Sequence, residues 1–307
     1  MNVNIFVPVY NGGALWEKSA LLIKENISKD LINSVMVIDS SSSDNSVDIA
    51  KSNGFDVRVI PSSQFNHGGT RNLILKLSPD SDIVIFLTQD SLLQKHALEN
   101  ILSVFSDENV AAAYGRQLPH DEANPLARHA RFFNYKMENY KGDLSTKDSL
   151  GLKTVFMSNS FSAYRISILK ELGAFPENTI LCEDMFFSAK AVLAGYKIAY
   201  VADAEVKHSH NYSAIEEFKR YFDIGVFHYD EPWIRKSFGG AGGEGKKFIL
   251  SELKYLLKHA PLWILIACVN NFAKILGYKL GQNYTKLSPK WRRKLSMHKR
   301  YWDSISN

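Results

Sequence analysis

Cysteine is nearly absent from this 307-residue chain: Cys182 and Cys268 stand alone and far apart. Two such residues build neither a zinc site nor a disulfide framework, and they fit a reducing compartment. The N-terminus has no basic region and small-residue cleavage site of a secretory leader, and enters a strand-like run, Val3 to Val9, at once. No G-x-G-x-x-G fingerprint occurs, which weighs against a dinucleotide cofactor. The longest uncharged apolar stretch, Ala260 to Ala273, contains two Asn and falls short of the roughly 20 residues that span a bilayer. Internal repeats are also missing. The run Gly240 to Lys247 nearly matches a phosphate-binding loop, but Lys247 stands where Ser or Thr must bind magnesium, and no strand precedes it.

What is present is ordinary in amount and uneven in placement. Apolar residues make up 45% and charged residues 22%, as in soluble globular proteins. The net charge of +5 conceals a basic tail: between Lys246 and Trp302 lie 13 Lys and Arg against one acid, Glu252. Trp263, Trp291, Trp302, Tyr278 and Tyr301 interleave with those charges. Basic side chains, aromatics and apolar helix faces suit an anionic membrane surface. No recognised nucleic-acid motif accompanies the charge, so nucleic acid is not expected as a partner. The expectation is a cytoplasmic protein, peripheral on the inner face of the membrane.

Through the first 115 residues strand and helix signals alternate. Strand-like runs at Asn4–Val9, Val35–Asp39, Val57–Ile60, Ile83–Leu87 and Val110–Tyr114 enclose helical patterns, which predicts an α/β fold with a mostly parallel, Rossmann-like sheet flanked by helices. Residues 116–150 are polar and irregular. Lys197–Val201 reads as a further strand and Ala214–Phe227 as a helix. The Gly-rich run 239–245 reads as a linker, which divides the chain into a catalytic domain, 1–235, and a linker with a basic amphipathic helical tail, 236–307.

Chemistry is concentrated where strands end. Ligands in open α/β sheets sit beyond the carboxyl ends of the strands. The run Ile83-Val-Ile-Phe-Leu-Thr-Gln-Asp90 delivers a carboxylate there, able to hold a divalent cation. The first strand ends in Val9-Tyr10-Asn11-Gly12-Gly13, where glycine lets the backbone approach a ligand closely. Asp39, at the end of Val37-Ile38-Asp39, can accept the imide N–H of uracil or thymine, or a hydroxyl of a dinucleotide ribose. In Gln64-Phe65-Asn66-His67-Gly68-Gly69-Thr70-Arg71-Asn72 the glycines offer backbone N–H groups at a helix start, Arg71 adds a planar cation for diphosphate oxygens, and His67 is a neighbouring contact. Cys182-Glu183-Asp184 places two acids at the head of an apolar helical pattern, a place for a general base.

Together these segments, with His208-Ser209-His210-Asn211-Tyr212, resemble the inverting family-2 glycosyltransferases of the GT-A fold. Within that family the chain is most similar to bacterial rhamnosyltransferases acting on surface polysaccharide of the O-antigen kind. The resemblance spans about residues 3–230, in order, and the His67-Gly68-Gly69-Thr70-Arg71-Asn72 run is its most specific part. It implies transfer of L-rhamnose from dTDP-L-rhamnose, with inversion, to a hydroxyl of a lipid-linked glycan in lipopolysaccharide synthesis. Related possibilities are a UDP-hexose donor, or a non-catalytic module that binds sugar nucleotide or membrane. By the resemblance Val9, Tyr10, Asn11, Asp39, His67, Gly68, Gly69, Arg71, Gln89 and Asp90 form the donor site. Asp90 contacts a Mg2+ or Mn2+ ion, with His208 or alternatively His210 as second ligand; Thr88 stands where many relatives carry another Asp. Asp184 is the general base, Glu183 orients the site and acceptor, and Asn159 lines the acceptor side.

Overall fold

The computed structural model describes residues 1–28, 30–240 and 242–305. Its contacts divide the chain into two compact units. The first comprises Met1–Leu118, Tyr135–Glu177 and Glu183–His208; the second comprises Pro119–Asn134, Asn178–Cys182 and Ser209 onward. Ser209 onward falls in the second unit because the helix after Ser213 packs with the C-terminal helices.

In the first unit the chain runs β1 (Val3–Val9), α1 (Gly13–Asn26), β2 (Ser34–Asp39), α2 (Ser46–Ser52), β3 (Asp56–Val59), α3 (His67–Asn72), α4 (Ile74–Leu77), β4 (Ile83–Leu87), β5 (Leu92–Leu93), α5 (Ala97–Ser103) and β6 (Val110–Leu118). After α6 (Pro125–Asn134), which belongs to the second unit, come β7 (Tyr140–Gly142), α7 (Lys147–Leu150), β8 (Phe161–Arg165), α8 (Ile166–Glu171), α9 (Glu183–Leu193) and β9 (Lys197–Lys207). One nine-stranded sheet results, in the order β3-β2-β1-β4-β8-β6-β9-β5, with β7 on β9. The strands β1 to β4 pair in parallel, as does β6 with β9, whereas β8 lies antiparallel between β4 and β6. Strands β5 and β7 are antiparallel to β9. The central strands are apolar on both faces, as burial beneath two helix layers requires: every residue of β4 is buried, and Val3, Ile5 and Val7 pack with Trp16 and Ile23.

Chain direction across the sheet reverses between β1 and β4, so the loops leaving these two strands diverge and open the crevice used by ligands in this architecture. A second irregularity lies between β6 and β9. Gly115 pairs with Val201, but Arg116 pairs with Glu205, so Ala202, Asp203 and Ala204 leave the ladder. Side chains satisfy the excursion: Asn139 Oδ1 accepts from the Ala202 N–H (2.6 Å), and Asn100 Nδ2 donates to the Asp203 carbonyl (2.7 Å). Residue 115 must be glycine, since a Cβ there would overlap the Ala204 carbonyl and the Phe161 ring. Beyond the bulge Gln117 and Leu118 realign with Val206 and Lys207, which brings Gln117 beside the end of β9.

The second unit is helical: α10 (Ala214–Asp230), α11 (Pro232–Phe238), α12 (Gly242–His259), α13 (Ile264–Gly281), α14 (Pro289–Leu295) and α15 (Lys299–Ile305) follow α6. The linker expected over 239–245 is shorter than the composition suggests. Gly242 to Gly245 form the first turn of α12, while Ala241 lies outside the described residues. Ser213 and Glu216 close a capping box at the start of α10. Backbones of α10 and α13 approach closely because Gly277 faces the Phe218 carbonyl and Gly281 faces that of Phe222. With the preceding short turn, Pro261–Gly281 is 21 residues long with mean hydropathy 1.3, apolar enough by length and composition to cross a membrane. The helix thus continues past Lys274, where the uncharged run ends. Lys274 pairs with Glu217 of α10 (3.3 Å), and Ala267, Asn270 and Gly277 are buried, so one face of α13 is committed to the unit. The opposite face carries Leu265, Val269, Phe272 and Leu276 into solvent.

This packing makes two glycine replacements diverge. Gly277→Ala should destabilise the protein by about 1–3 kcal/mol in urea unfolding, because the helices must separate. Gly243→Ala, where a Cβ would meet nothing within 4 Å, should be neutral or slightly stabilising. Equal effects at both positions would show that the α10–α13 approach does not depend on glycine.

Candidate active site

Loops after β1, β2 and β4 are tied together by their own polar groups. Gln89 bridges the diverging loops reciprocally: its Oε1 accepts from the Tyr10 N–H (2.7 Å) and its Nε2 donates to the Tyr10 carbonyl (3.2 Å). Asn11 Oδ1 accepts from the Ser43 N–H (2.8 Å), and Ser42 Oγ accepts from the Asn11 N–H (2.9 Å). Asp39 is buried, and its carboxylate accepts from the N–H and hydroxyl of Ser42 (2.9 and 2.5 Å). The Tyr10 ring is 45% exposed above buried Val9, so an aromatic face stands at the rim. Asn11, Ser41 and Cys182 hold positive φ angles of 46°, 62° and 61°, and each adjoins one of the polar segments described here. Left-handed backbone at non-glycine residues clusters at functional sites because the surroundings must hold it there.

The helix α3 behaves differently from the sequence expectation. Asn66 caps it, its Oδ1 accepting from the Gly69 N–H (2.8 Å), and Gly68 packs so closely on Pro176 that no Cβ would fit. Arg71, expected to face diphosphate oxygens, is buried. Its Nη1 pairs with Glu183 Oε1 at 3.0 Å and donates to the His67 carbonyl at 2.9 Å. Gly68 is therefore used for close packing and the guanidinium for a carboxylate. His67 lies against the same pair, and burial lowers its pKa further below the ordinary imidazole value.

Two adjacent carboxylates at the start of α9 consequently differ in character. Burial works to raise the Glu183 carboxyl, but Arg71, then His67 and the Asn159 amide at 2.8 Å, outweigh it and hold the group below its usual pKa. Asp184 is pushed up to about 7, first by burial and then by the negative charge of Glu183. The N–H groups of Met185 (2.7 Å) and Asn159 (3.1 Å) each donate to one Asp184 oxygen and orient the carboxylate. Since a carboxylate has about four acceptor positions, each oxygen keeps capacity for a further proton donor. Asn159 is itself fixed: its Oδ1 accepts from Ser162 Oγ (2.8 Å) and Tyr164 OH (2.7 Å).

Asp90 and His208 meet at the far side of β4. Asp90 Oδ2 lies 3.4 Å from His208 Nε2, while His208 Nδ1 lies 2.9 Å from Gln117 Oε1. The amide oxygen of Gln117 can only accept, so it fixes the proton on Nδ1 and turns the basic Nε2 toward Asp90. One carboxylate oxygen and one imidazole nitrogen are a donor set that suits a divalent cation. Thr88 is turned to Ser91 (2.9 Å). His210, the alternative ligand, stacks on Tyr212 at 5.0 Å in the second unit. Sequence reasoning missed Gln117, Ser42, Ser162 and Tyr164. Gln117 had no signal, because only the bulged pairing of β6 with β9 brings it to His208.

The raised Asp184 carboxyl has a consequence for stability. Its folded pKa of about 7 exceeds the unfolded value of 3.8, so the folded state binds more protons between those values and loses stability as pH rises through them. Asp184→Asn removes that charge penalty. The variant should match the wild type near pH 4 and exceed it at pH 8 by on the order of 1–3 kcal/mol in urea unfolding. A pH-independent difference would place the Asp184 pKa near its ordinary value.

Comparison with known proteins bears on this arrangement. Residues 4–173 match the model for Glycosyl transferase family 2. The chain is 52% identical over 303 residues to the O-antigen chain rhamnosyltransferase WbaN of Salmonella anatum, covering 98% of this chain and 96% of that protein. It is 50% identical over 307 residues to the O-antigen chain rhamnosyltransferase RfbN of Salmonella typhimurium, covering 99% and 97%. Among solved structures, a mannosyltransferase of Pyrobaculum calidifontis in complex with GDP-Man and Mn2+ superimposes with TM-score 0.59 at 18% identity, covering 99% of this chain and 86% of that one. TarS 1-349 of S. aureus in complex with UDP-GlcNAc gives 0.53 at 16% identity, with 93% and 92% covered. These likenesses show the GT-A fold. The matched family model and the full-length similarity to two curated enzymes establish that the chain belongs to glycosyl transferase family 2.

Proposed function

We propose that this glycosyltransferase moves L-rhamnose from dTDP-L-rhamnose to a hydroxyl of a lipid-linked glycan, with inversion, at the cytoplasmic face of the membrane. The observation that carries the chemistry is the split between two neighbouring carboxylates, Glu183 held ionised and Asp184 raised to about 7. A group with that pKa takes up a proton near neutral pH and still returns it to water. The choice of sugar is supported by the names of two relatives with about half of their residues identical.

In this reading Asp184 accepts the proton of the acceptor hydroxyl while that oxygen attacks the anomeric carbon. The bond from that carbon to the diphosphate oxygen breaks on the opposite face, and dTDP leaves with the electron pair. Glu183 stays ionised against Arg71, orients the acceptor side with Asn159, and keeps Asp184 basic by its charge. Tyr10 lies along the thymine and Asp39, already accepting from Ser42, reads its imide edge. Asp90 and His208 would hold Mg2+ or Mn2+. Such an ion neutralises charge on a diphosphate. Coordination positions that the protein does not fill fall to phosphate oxygens and water, as is usual for magnesium at nucleotides. The basic tail and the exposed face of α13 rest on anionic lipid, where the acceptor is anchored.

Asp184→Asn should lower kcat by about 10²–10⁴-fold while leaving the Kd for dTDP-L-rhamnose nearly unchanged. Wild-type kcat should fall with acid below about pH 7, and Glu183→Gln should move that limb to lower pH because a raising charge is gone. Substantial transfer by Asp184→Asn would refute the base assignment. For the cation, Gln117→Leu frees His208 to adopt the other tautomer, and the Mn2+ concentration giving half-maximal rate should rise by about 10–100-fold. No change there would detach His208 from the metal.

A further inference from the structure

The second unit contains a cavity of about 520 Å³, within the size range of small-molecule sites. Leu126, Trp263, Leu265, Ile266 and Val269 give it an apolar wall. Its other side is formed by Asn124 and the segment from Asn211 to Ala214, pinned where the Asn124 N–H donates to Asn211 Oδ1 (2.8 Å). None of the side chains assigned above to the donor, the base or the cation lines it.

We infer that this cavity receives the hydrocarbon chain of the lipid-linked acceptor, an inference that rests on the proposed function. Leu265, Ile266 and Val269 belong at once to the cavity wall and to the exposed stripe of α13, being 78%, 45% and 57% exposed. Leu262, 91% exposed, stands beside them. The cavity therefore borders a surface that already lies bare to water. A chain entering from a bilayer against that stripe crosses no aqueous gap. Charge selects among apolar ligands: Lys254 and Lys258 are exposed on α12, whose last turn leads directly into Pro261–Trp263, and the whole tail is cationic. An anionic amphiphile, with a phosphate-bearing head and a long apolar chain, satisfies both features. The chain segment also fits: Asn211 and Tyr212 of the wall follow His208 by only a few residues.

The test uses the full chain and farnesyl diphosphate as probe, titrated calorimetrically without detergent and with saturating dTDP to occupy the donor site. Saturable binding is expected. It should weaken by about tenfold or more in Ile266→Asn and in Ala214→Phe, which fills the cavity without adding polarity. Leu276→Asn, on the same stripe but outside the wall, should leave it unchanged. In transfer assays Ile266→Asn should raise KM for the lipid-linked acceptor but not for the same glycan freed of its lipid. Absent binding, or equal weakening by Leu276→Asn, overturns the site. Displacement of the probe by phosphatidylglycerol at equal concentration assigns the cavity to bulk lipid and overturns it also. Normal transfer with no probe binding sinks the cavity assignment and leaves the proposed function standing. Probe binding lost in Ile266→Asn, with no transfer to any lipid-linked glycan, keeps a lipid-chain site and overturns its link to the acceptor.

Discussion

Arg71 and Glu183 form a buried ion pair at 3.0 Å, and the charge of Glu183 adds to burial in raising the neighbouring Asp184 carboxyl. Burying either charge alone would be strongly unfavourable, so each requires the other in place. The pair joins α3, which enters after β3, to the first turn of α9, which enters more than a hundred residues later. It also leaves one negative charge permanently beside Asp184. Burial raises the Asp184 carboxyl most, and the fixed ionised neighbour raises it further.

Most of the scaffold was legible because buried parallel strands announce themselves as apolar runs. Ile83–Leu87 coincides with its strand, and β1, β2 and β3 begin one residue before their sequence readings. The strand-end residues were legible for the same reason: Asp39 ends β2, and Asn11 and Asp90 lie just after strands whose ends are easily read. What failed to show were partners supplied across the sheet. Arg71 reads as a solvent-facing cation for phosphate, since nothing local signals that Glu183 will be packed against it. Gly68 reads as part of an anion cradle for want of any sign that Pro176 packs against it. Long-range pairing assigns these side chains their tasks, and a single sequence carries little record of it.

The C-terminal half shows the opposite bias. Its composition was read correctly as basic and helical, but its limits were not. Glycine suggested a linker where a helix begins, and Lys274 suggested the end of an apolar stretch that the helix continues through. In both places tertiary packing overrides a local preference. Lys274 is accepted because Glu217 neutralises it, and the glycines of α13 are retained because the carbonyls of α10 occupy the space a side chain would take.

The bulge between β6 and β9 settles a problem of parity. Along Lys197–Lys207, Ala199 and Val201 face the main core, and strict alternation would send Asp203, Glu205 and Lys207 there after them. Three residues leaving the ladder invert the phase, so that Ala204 and Val206 point inward and the charged side chains outward. The sequence can thus carry a polar rim right up to His208 without placing an ionised group in the core. It follows that a deletion of Ala202 or Asp203 alone preserves side-chain phase better than a deletion of both. The first brings Ala204 and Val206 into strict alternation with Val201, whereas the second leaves them out of phase unless a one-residue bulge remains.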